Sequence, residues 1–391
     1  MSSNKWPMVK LGEVYELQMG KTPSRDNINY WNDGSNQWIS IADISRANKY
    51  INSTKETISD IAVKESNIKV VPKNTVIMSF KLSIGKTAIT TQDIYTNEAI
   101  MAFIDKQKYR VSNNFAYYLF SHKKWSLNAN KAVKGITLNK AILADIQVPL
   151  PPMDIQKKIA QVLDAASELT ALYKKRLEEL DTLIQSTFYE MFGDPVLNEK
   201  GWEIVKLPYV CSKITDGTHN SPKNESEGDF LYVTAKNIKL NGIDLSDISY
   251  VSKVDHEGIY SRCNPEYNDV LYIKDGATTG IAALNTLKEP FSMLSSLALL
   301  KINSNINSYY LVVLLNFPSF YVKVRNMMGG AAITRLTLTK IKEFPIPLPP
   351  LPLQQKFAEI VERIEEEKAI NCKALEESEY LFKSLMSEYF D

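Results

Sequence analysis

The feature that most constrains this chain is that it contains one design twice. Trp6-Pro-Met-Val-Lys-Leu-Gly-Glu-Val14 returns as Trp202-Glu-Ile-Val-Lys-Leu-Pro-Tyr-Val210, with Trp, Val, Lys, Leu and the final Val unchanged. A longer match sets 149–192 on 347–390 without a gap. It keeps Pro149, Leu150, Pro151, Pro152, Gln156, Lys158, Ala160, Ala171, Lys175, Leu177, Glu178, Glu179, Leu183, Ser186, Glu190 and Phe192. Unrelated segments of that length would share about 3 residues. The two matches are offset by 196 and 198 positions, so one duplication accounts for both. Between them the halves diverge, with weak echoes such as Asn74-Thr-Val-Ile-Met78 against Asn268-Asp-Val-Leu-Tyr272. Each half is a variable globular part followed by a retained tail.

The tail reads as a helix. Ile159, Val162, Ala166, Leu169, Tyr173, Leu177, Leu180, Ile184 and Met191 fall on steps of three, four or seven, which is one apolar stripe. No Gly or Pro interrupts 153–192. Pro149, Pro151 and Pro152 stop the preceding chain, Asp154 can cap the start, and Gly193 with Pro195 ends the helix. In the second copy the stripe is Phe357, Ile360, Ile364, Leu375, Leu381, Leu385 and Tyr389, and it weakens around 365–368. Each helix of about 40 residues would be roughly 60 Å long and needs an apolar partner. Duplication points to the two copies packing on each other as an antiparallel pair about a pseudo-twofold axis. That relation also brings Trp6 near Phe390. The globular parts read as mixed α/β. The stretches 70–80, 87–91 and 270–273 are strand-like, and 115–120 and 309–317 resemble short buried helices.

Composition narrows the class. The 391 residues are 44% hydrophobic and 10% aromatic, as in ordinary globular protein. The first ten residues lack the apolar core of a secretory signal, and the most apolar run, 293–302, is shorter than the about 20 residues a membrane span needs. Cys211, Cys263, Cys372 and His122, His219, His256 stand too far apart for a disulfide framework or zinc site. A soluble cytoplasmic protein is expected. Charge is uneven: 1–152 carry +8, 153–192 carry −2, 193–350 carry 0 and 351–391 carry −5. Segments this different face different partners.

Catalytic motifs do not assemble. Gly20-Lys21-Thr22 and Gly85-Lys86-Thr87 invite a phosphate-loop reading, but the earlier Gly is replaced by Tyr15 and Phe80. Glu366-Glu-Lys368 has a nuclease-like spacing on what reads as a solvated helix face. His219 follows Asp216-Gly-Thr218 with no nucleophile motif, and no methyl-transfer motif is present. Binding features do appear. The stretch 106–140 holds Lys106, Lys108, Arg110, Lys123, Lys124, Lys131, Lys134 and Lys140. Its counterpart, 301–342, holds Lys301, Lys323, Arg325, Arg335, Lys340 and Lys342 with no acid. Both pass through a polar, Gly-containing segment, which suits backbone approach to phosphate.

In this setting the motifs resemble one family. Pro149-Leu-Pro-Pro-Met-Asp-Ile-Gln156 and Pro347-Leu-Pro-Pro-Leu-Pro-Leu-Gln354 are similar to the motif before each conserved helix of the specificity subunit of type I restriction-modification systems. Phe192-Gly-Asp-Pro195 with Gly201-Trp202 is similar to that family's junction into its second target-recognition domain. Gly20-Lys-Thr-Pro-Ser24 with Tyr30-Trp31 and Trp38-Ile39 resembles one type of recognition domain; Asp216-Gly-Thr-His219 with Pro222 and Ala235-Lys-Asn-Ile238 resembles another. Two departures stand out: Ile155 and Leu353 replace the usual acid before the helix glutamine, and the second globular part has no net positive charge.

The resemblance implies a mixed α/β (α+β) fold, with two recognition domains joined by two long antiparallel coiled-coil helices. The expected boundaries are 1–152 and 193–350 for the domains, and 153–192 and 351–391 for the helices. It implies a non-catalytic subunit without a cofactor or metal of its own, in a complex that methylates DNA adenine and cuts DNA with ATP. The expected partners are double-stranded DNA, read as a bipartite target, two methyltransferase subunits docked on the helices, and restriction-translocase subunits through the complex, with no membrane. The residues expected to meet DNA are Lys21, Thr22, Ser24, Arg25, Lys81, Lys86, Lys131, Lys134 and Thr137 in the first half. In the second they are Thr218, His219, Lys223, Lys274, Arg325, Arg335 and Lys340. The reading that competes with this one is an assembly scaffold with two protein-binding domains and no DNA contact.

Overall fold

The computed structural model describes residues 6–32, 34–81, 83–125, 138–328 and 335–391. The chain forms two compact units, and these do not follow the halves of the sequence. One takes Met1–Tyr173 and Ala374–Asp391, the other Lys174–Lys373. Each therefore holds one globular part, the adjoining portion of one long helix and the far portion of the other.

Both globular parts repeat one topology. In the first unit a five-stranded sheet has the order Tyr15–Met19, Ile100–Asp105, Val76–Ser79, Thr87–Thr90, Tyr50–Ile51, antiparallel except for the last pair. In the second unit the sheet has the order Cys211–Asp216, Leu297–Ile302, Val270–Ile273, Ala282–Leu284. A three-stranded sheet accompanies each: Glu56–Ile58, Asn36–Ile39, Tyr95–Thr96, and Ser249–Val251, Phe230–Val233, Ser292–Met293. Val76–Ser79 and Val270–Ile273 are buried on both faces, which is why they read as continuous apolar runs instead of alternating ones. Each of these two strands follows a left-handed asparagine, Asn74 at φ 56° or Asn268 at φ 70°, in the echo preserved between the halves. The first strand-like stretch is shorter than expected, since Val70 is exposed and the strand starts at Val76. The expected short helices are Asn113–His122 and Ser308–Asn316.

The long helices, Met153–Phe192 and Leu351–Phe390, have 40 residues each. Within the first unit Thr170 meets Ser378 at 3.2 Å, while Ile159 and Leu163 share a cluster with Met386. Within the second, Asp181 pairs with Lys368 at 2.8 Å and Phe192 meets Phe357 edge-on. In both units one helix rises as the other falls, so the pair is antiparallel. The buried stripe differs from the expected one. Leu163, Phe188 and Phe192 are fully or nearly buried, whereas Leu169 and Leu381 are exposed. The weak stretch of the second stripe is explained by polar residues in the seam, because Lys368 and Asn371 are buried there. This corrects the expectation of a solvated face for Lys368, whereas Glu366 and Glu367 are exposed as expected. Burial opposes the charge of Lys368, but ion pairs with Asp181 and Glu365 outweigh it and hold its pKa above the ordinary lysine value. A buried polar group in such a seam fixes register.

The retained Pro-Pro-x-x-x-Gln motif has a local cause. Gln156 is fully buried. Its Oε1 accepts from Ser112 N at 2.8 Å, and its Nε2 donates to Pro151 O at 2.8 Å and Arg110 O at 3.0 Å. Gln354 repeats this, accepting from Asn307 N at 2.9 Å and donating to Pro349 O at 2.8 Å. Each glutamine locks the start of a long helix to the start of the short buried helix. Gln156→Leu or Gln354→Leu should each cost about 2–3 kcal/mol in urea unfolding, because backbone donors and acceptors are left buried without partners. A loss within experimental error would make the glutamines incidental.

At the other ends, Trp202 Nε1 donates to Phe192 O at 2.9 Å, and Gly193 takes φ +77° to close the first helix. In the first unit, Phe390 packs in the same cluster as Val9 and Ile155, so the beginning and end of the chain meet one core.

A buried histidine gives the second unit a pH signature. His256 stacks on Phe230 with centroids 3.8 Å apart, and its Nδ1 lies 3.0 Å from Ser292 Oγ. Burial depresses its pKa below 6.5, with Glu257 opposing. The neutral ring is the one that fits, so this contribution is complete above the ordinary value and is lost as pH falls below it. The urea midpoint should therefore drop between about pH 7 and 5, less steeply in His256→Gln. Equal slopes would clear His256 of the effect.

Candidate nucleic-acid interface

One end of each central sheet gathers the polar loops. In the first unit the register pairs Met19 with Met101 and Ser79 with Ile100. The chain leaving Met19 and the turn between Val76–Ser79 and Thr87–Thr90 thus emerge together. In the second, Asp216 pairs with Ala298 and Ile273 with Leu297, so the loop after Asp216 and the turn after Ile273 share an end likewise.

Both loops begin with a glycine for the same reason. A Cβ on Gly20 would overlap the carbonyl oxygens of Thr96 and Asn97; one on Gly217 would overlap Met293 O. Lys21 N then donates to Thr96 O, and Thr218 N to Met293 O, each at 2.8 Å. The two hairpin turns correspond too: Gly85 N donates to Ser79 O and Gly280 N to Ile273 O, both at 2.9 Å, with φ +92° and +108°. The first Gly-Lys-Thr triplet thus has its glycine for close backbone approach and the second for a turn.

In the first unit Lys21 Nζ donates to Ser66 O at 2.7 Å. Thr22 donates to Glu98, and that hydroxyl, against the cost of burial, holds the carboxyl below its ordinary pKa; Lys81 and Arg25 add to the effect. Arg25 forks onto Glu56 at 2.6 and 3.1 Å and lies over Trp31, 3.6 Å from the ring centroid. Ser24 is exposed, its carbonyl accepting from Trp31 Nε1 at 3.0 Å. Lys86 Nζ donates to Ser45 Oγ at 2.6 Å. Trp125 sits against Gly85, which brings 123–125 to the same end. Lys131, Lys134 and Thr137 lie outside the described residues.

The second unit builds a charge chain there. His219 Nε2 lies 3.2 Å from Asp216 Oδ2, Lys274 Nζ 3.5 Å from the same carboxylate and 2.8 Å from Asp275, and Arg335 Nε 3.1 Å from Asp275 Oδ1. Arg325 donates to Ala277 O at 3.1 Å, and Lys340 to Met327 O at 3.0 Å. Thr218 Oγ1 donates to Asn220 O at 3.0 Å, and exposed Lys223 pairs with Glu225 at 2.8 Å. Lys274 departs from the expectation of a phosphate contact. It is 2% exposed, because its ammonium is held between two carboxylates beneath the surface. Sequence reasoning missed Arg262, whose Nη2 donates to Asp216 O at 3.0 Å and also to Gly217 O. No motif marks it, since it reaches the loop from the end of the helix Lys253–Arg262. Arg262, Lys274 and Arg335 against Asp216 and Asp275 give this chain of charges a surplus of one cation, although the whole globular part is neutral. Among the described residues no group of His, Cys, Asp and Glu is placed to hold a metal ion, and no helix is long and apolar enough to cross a membrane.

A family model described as "Type I restriction modification DNA specificity domain" matches residues 3–182 and again 199–379. The chain belongs to this family. Its duplication is the family's domain taken twice, and it is a DNA-specificity subunit of the type I restriction-modification kind, carrying recognition and no catalysis. The type I restriction enzyme MjaIX specificity subunit of Methanocaldococcus jannaschii is 26% identical over 95% of this chain and 89% of its own length. The MjaVIII specificity subunit of the same organism is 21% identical over 98% and 91%. In fold, the S subunit of a type I system from M. genitalium superposes with a TM-score of 0.61 at 16% identity, covering 99% of this chain and 96% of that one.

Proposed function

We propose that the globular parts 1–152 and 193–350 each read one block of a two-part duplex target. The helices, 153–192 and 351–391, set the gap between blocks and carry two methyltransferase subunits, through which restriction-translocase subunits join in the cytoplasm. The observation that supports this most strongly is the equivalence of the two loop ends. The same glycine-braced loop and the same left-handed turn present Lys21, Thr22, Ser24, Arg25, Lys81 and Lys86 in one unit, and Thr218, His219 and Lys223 in the other. There Arg325 and Arg335 reach the turn from the segments that follow, and Lys340 bonds Met327 O beside them. Exposed basic side chains around backbone turns suit phosphate. Ion pairs to Glu56 and Asp275 hold Arg25 and Arg335 in place, so they arrive at DNA already ordered. Lys274 supports the loops from beneath. The acidic helices suit protein, since their charge repels phosphate.

The test is salt-dependent binding to duplex DNA by the chain with its methyltransferase partner. Lys131→Ala with Lys134→Ala, or Arg325→Ala with Arg335→Ala, should each lower affinity on every sequence and reduce the salt slope by about 1–2. A base-reading side chain would instead cost about 1–3 kcal/mol at one position. An unchanged slope in both variants would place the DNA surface elsewhere, and absence of duplex binding even at low salt would favour the protein scaffold.

A further inference from the structure

The second unit contains a cavity of about 250 Å³ between its helix pair and its globular part. We propose that it is a binding site for an arylalkylammonium, an aromatic ring carrying a short aliphatic amine. The case comes from comparing each unit with its own counterpart.

The glutamine bonds at Ser112 N and Asn307 N set the register between the short helices, which matches Tyr117 and Tyr118 to Val312 and Val313. The helix repeat matches Phe382 to Ile184. Lys49 and Leu240 also occupy like places: Lys49 O accepts from Ile89 N, and Leu240 lines the cavity beside Leu284, the counterpart of Ile89. In the first unit these positions are full. Lys49 Nζ pairs with Asp164 and lies 4.9, 5.5 and 5.6 Å from the ring centroids of Tyr118, Tyr50 and Tyr117. Phe382 packs edge-on against Tyr118. The first unit thus fills the place with aromatic rings and an ammonium of its own.

In the second unit the counterparts of Lys49, Tyr117, Tyr118 and Phe382 are smaller and aliphatic, which leaves the cavity, and Tyr309 stands on its wall where the first unit has Asn114. Its wall carries Asp181, Glu365 and Lys368, a net charge of −1, with Lys368 held between the two acids. The vacancy has room for a ring, as an apolar cavity of about 150 Å³ already admits benzene. The surplus carboxylate charge selects a cation over an anion. A ring with an ammonium arm replaces what Tyr117, Tyr118 and Lys49 supply in the other unit.

Titration calorimetry on the full chain with phenethylamine, 2-phenylethanol and 3-phenylpropionate tests this. Saturable one-site binding is expected, with the amine about tenfold or more tighter than the carboxylate and the alcohol between them. Val313→Tyr, which fills the space, should abolish binding. Leu240→Lys, at an exposed position that leaves folding alone, should weaken the amine about tenfold by placing a competing cation at the mouth. Glu365→Gln, which brings the wall to neutrality and keeps the Asp181–Lys368 pair, should remove the preference for the amine while keeping ring binding. Absence of saturable binding for all three probes would overturn the proposal. Equal binding of the three, or amine binding undiminished in both Val313→Tyr and Leu240→Lys, would do so equally.

Discussion

A chain lengthened by one heptad in each long helix is expected to recognise the same two DNA blocks with a wider gap between them. Seven residues keep the seam residues of both helices in phase, so the antiparallel pairing through Thr170, Ser378, Asp181 and Lys368 can re-form. They add about 10 Å to each helix at roughly 1.5 Å per residue. Along B-DNA that is about 3 base pairs at roughly 3.4 Å each. The duplex also turns by roughly 100° over that length, at about 10.5 base pairs per turn, so a loss of affinity should accompany the shift. Mapping the sites methylated by the lengthened chain with its partner reads both effects. Full activity with an unaltered gap would mean that the helices do not set the spacing.

The second large effect is expected at the glycines that open the recognition loops. Gly217→Val forces side-chain atoms into Met293 O and Leu294, both backbone, so relief requires moving the loop or strand. The Thr218–Met293 bond is lost, and with it the footing of His219 and Arg262. We expect destabilisation of about 3 kcal/mol and recognition lost for one block while the other is retained. Gly20→Val should do the mirror-image damage through Thr96 and Asn97. Urea unfolding reads the stability, and methylation of targets mutated in one block reads the recognition. Wild-type discrimination at both blocks in both variants would detach these loops from base reading.

How much of this could be read in the residues follows from how local each cause is. The first long helix was legible to the residue at both ends, and the second to within one residue, because prolines, a glycine after the first and a repeated stripe are signals along the chain. The retained glutamine was visible as an identity, but its partners, Ser112 N and Asn307 N, stand more than forty residues away, so its role was not. Strands such as Val270–Ile273 were legible from β-branched composition. Their order was not, because pairing is set by contacts across the sheet. At the candidate site the loops were found, yet the burial of Lys274 and the reach of Arg262 depend on neighbours from other segments. Lys368 was misread for the same reason: the face it occupies is solvated only until the antiparallel partner brings Asp181 against it.

The most direct measurement is methylation mapping in cells that carry this chain with a methyltransferase subunit of its system and no other modification enzyme. Bipartite recognition predicts that the methylated sites share two short fixed blocks separated by a gap of constant length and free sequence. Exchanging 193–350 for the same part of another family member should change one block and leave the other. A single uninterrupted block, or methylation without sequence preference, would contradict the account.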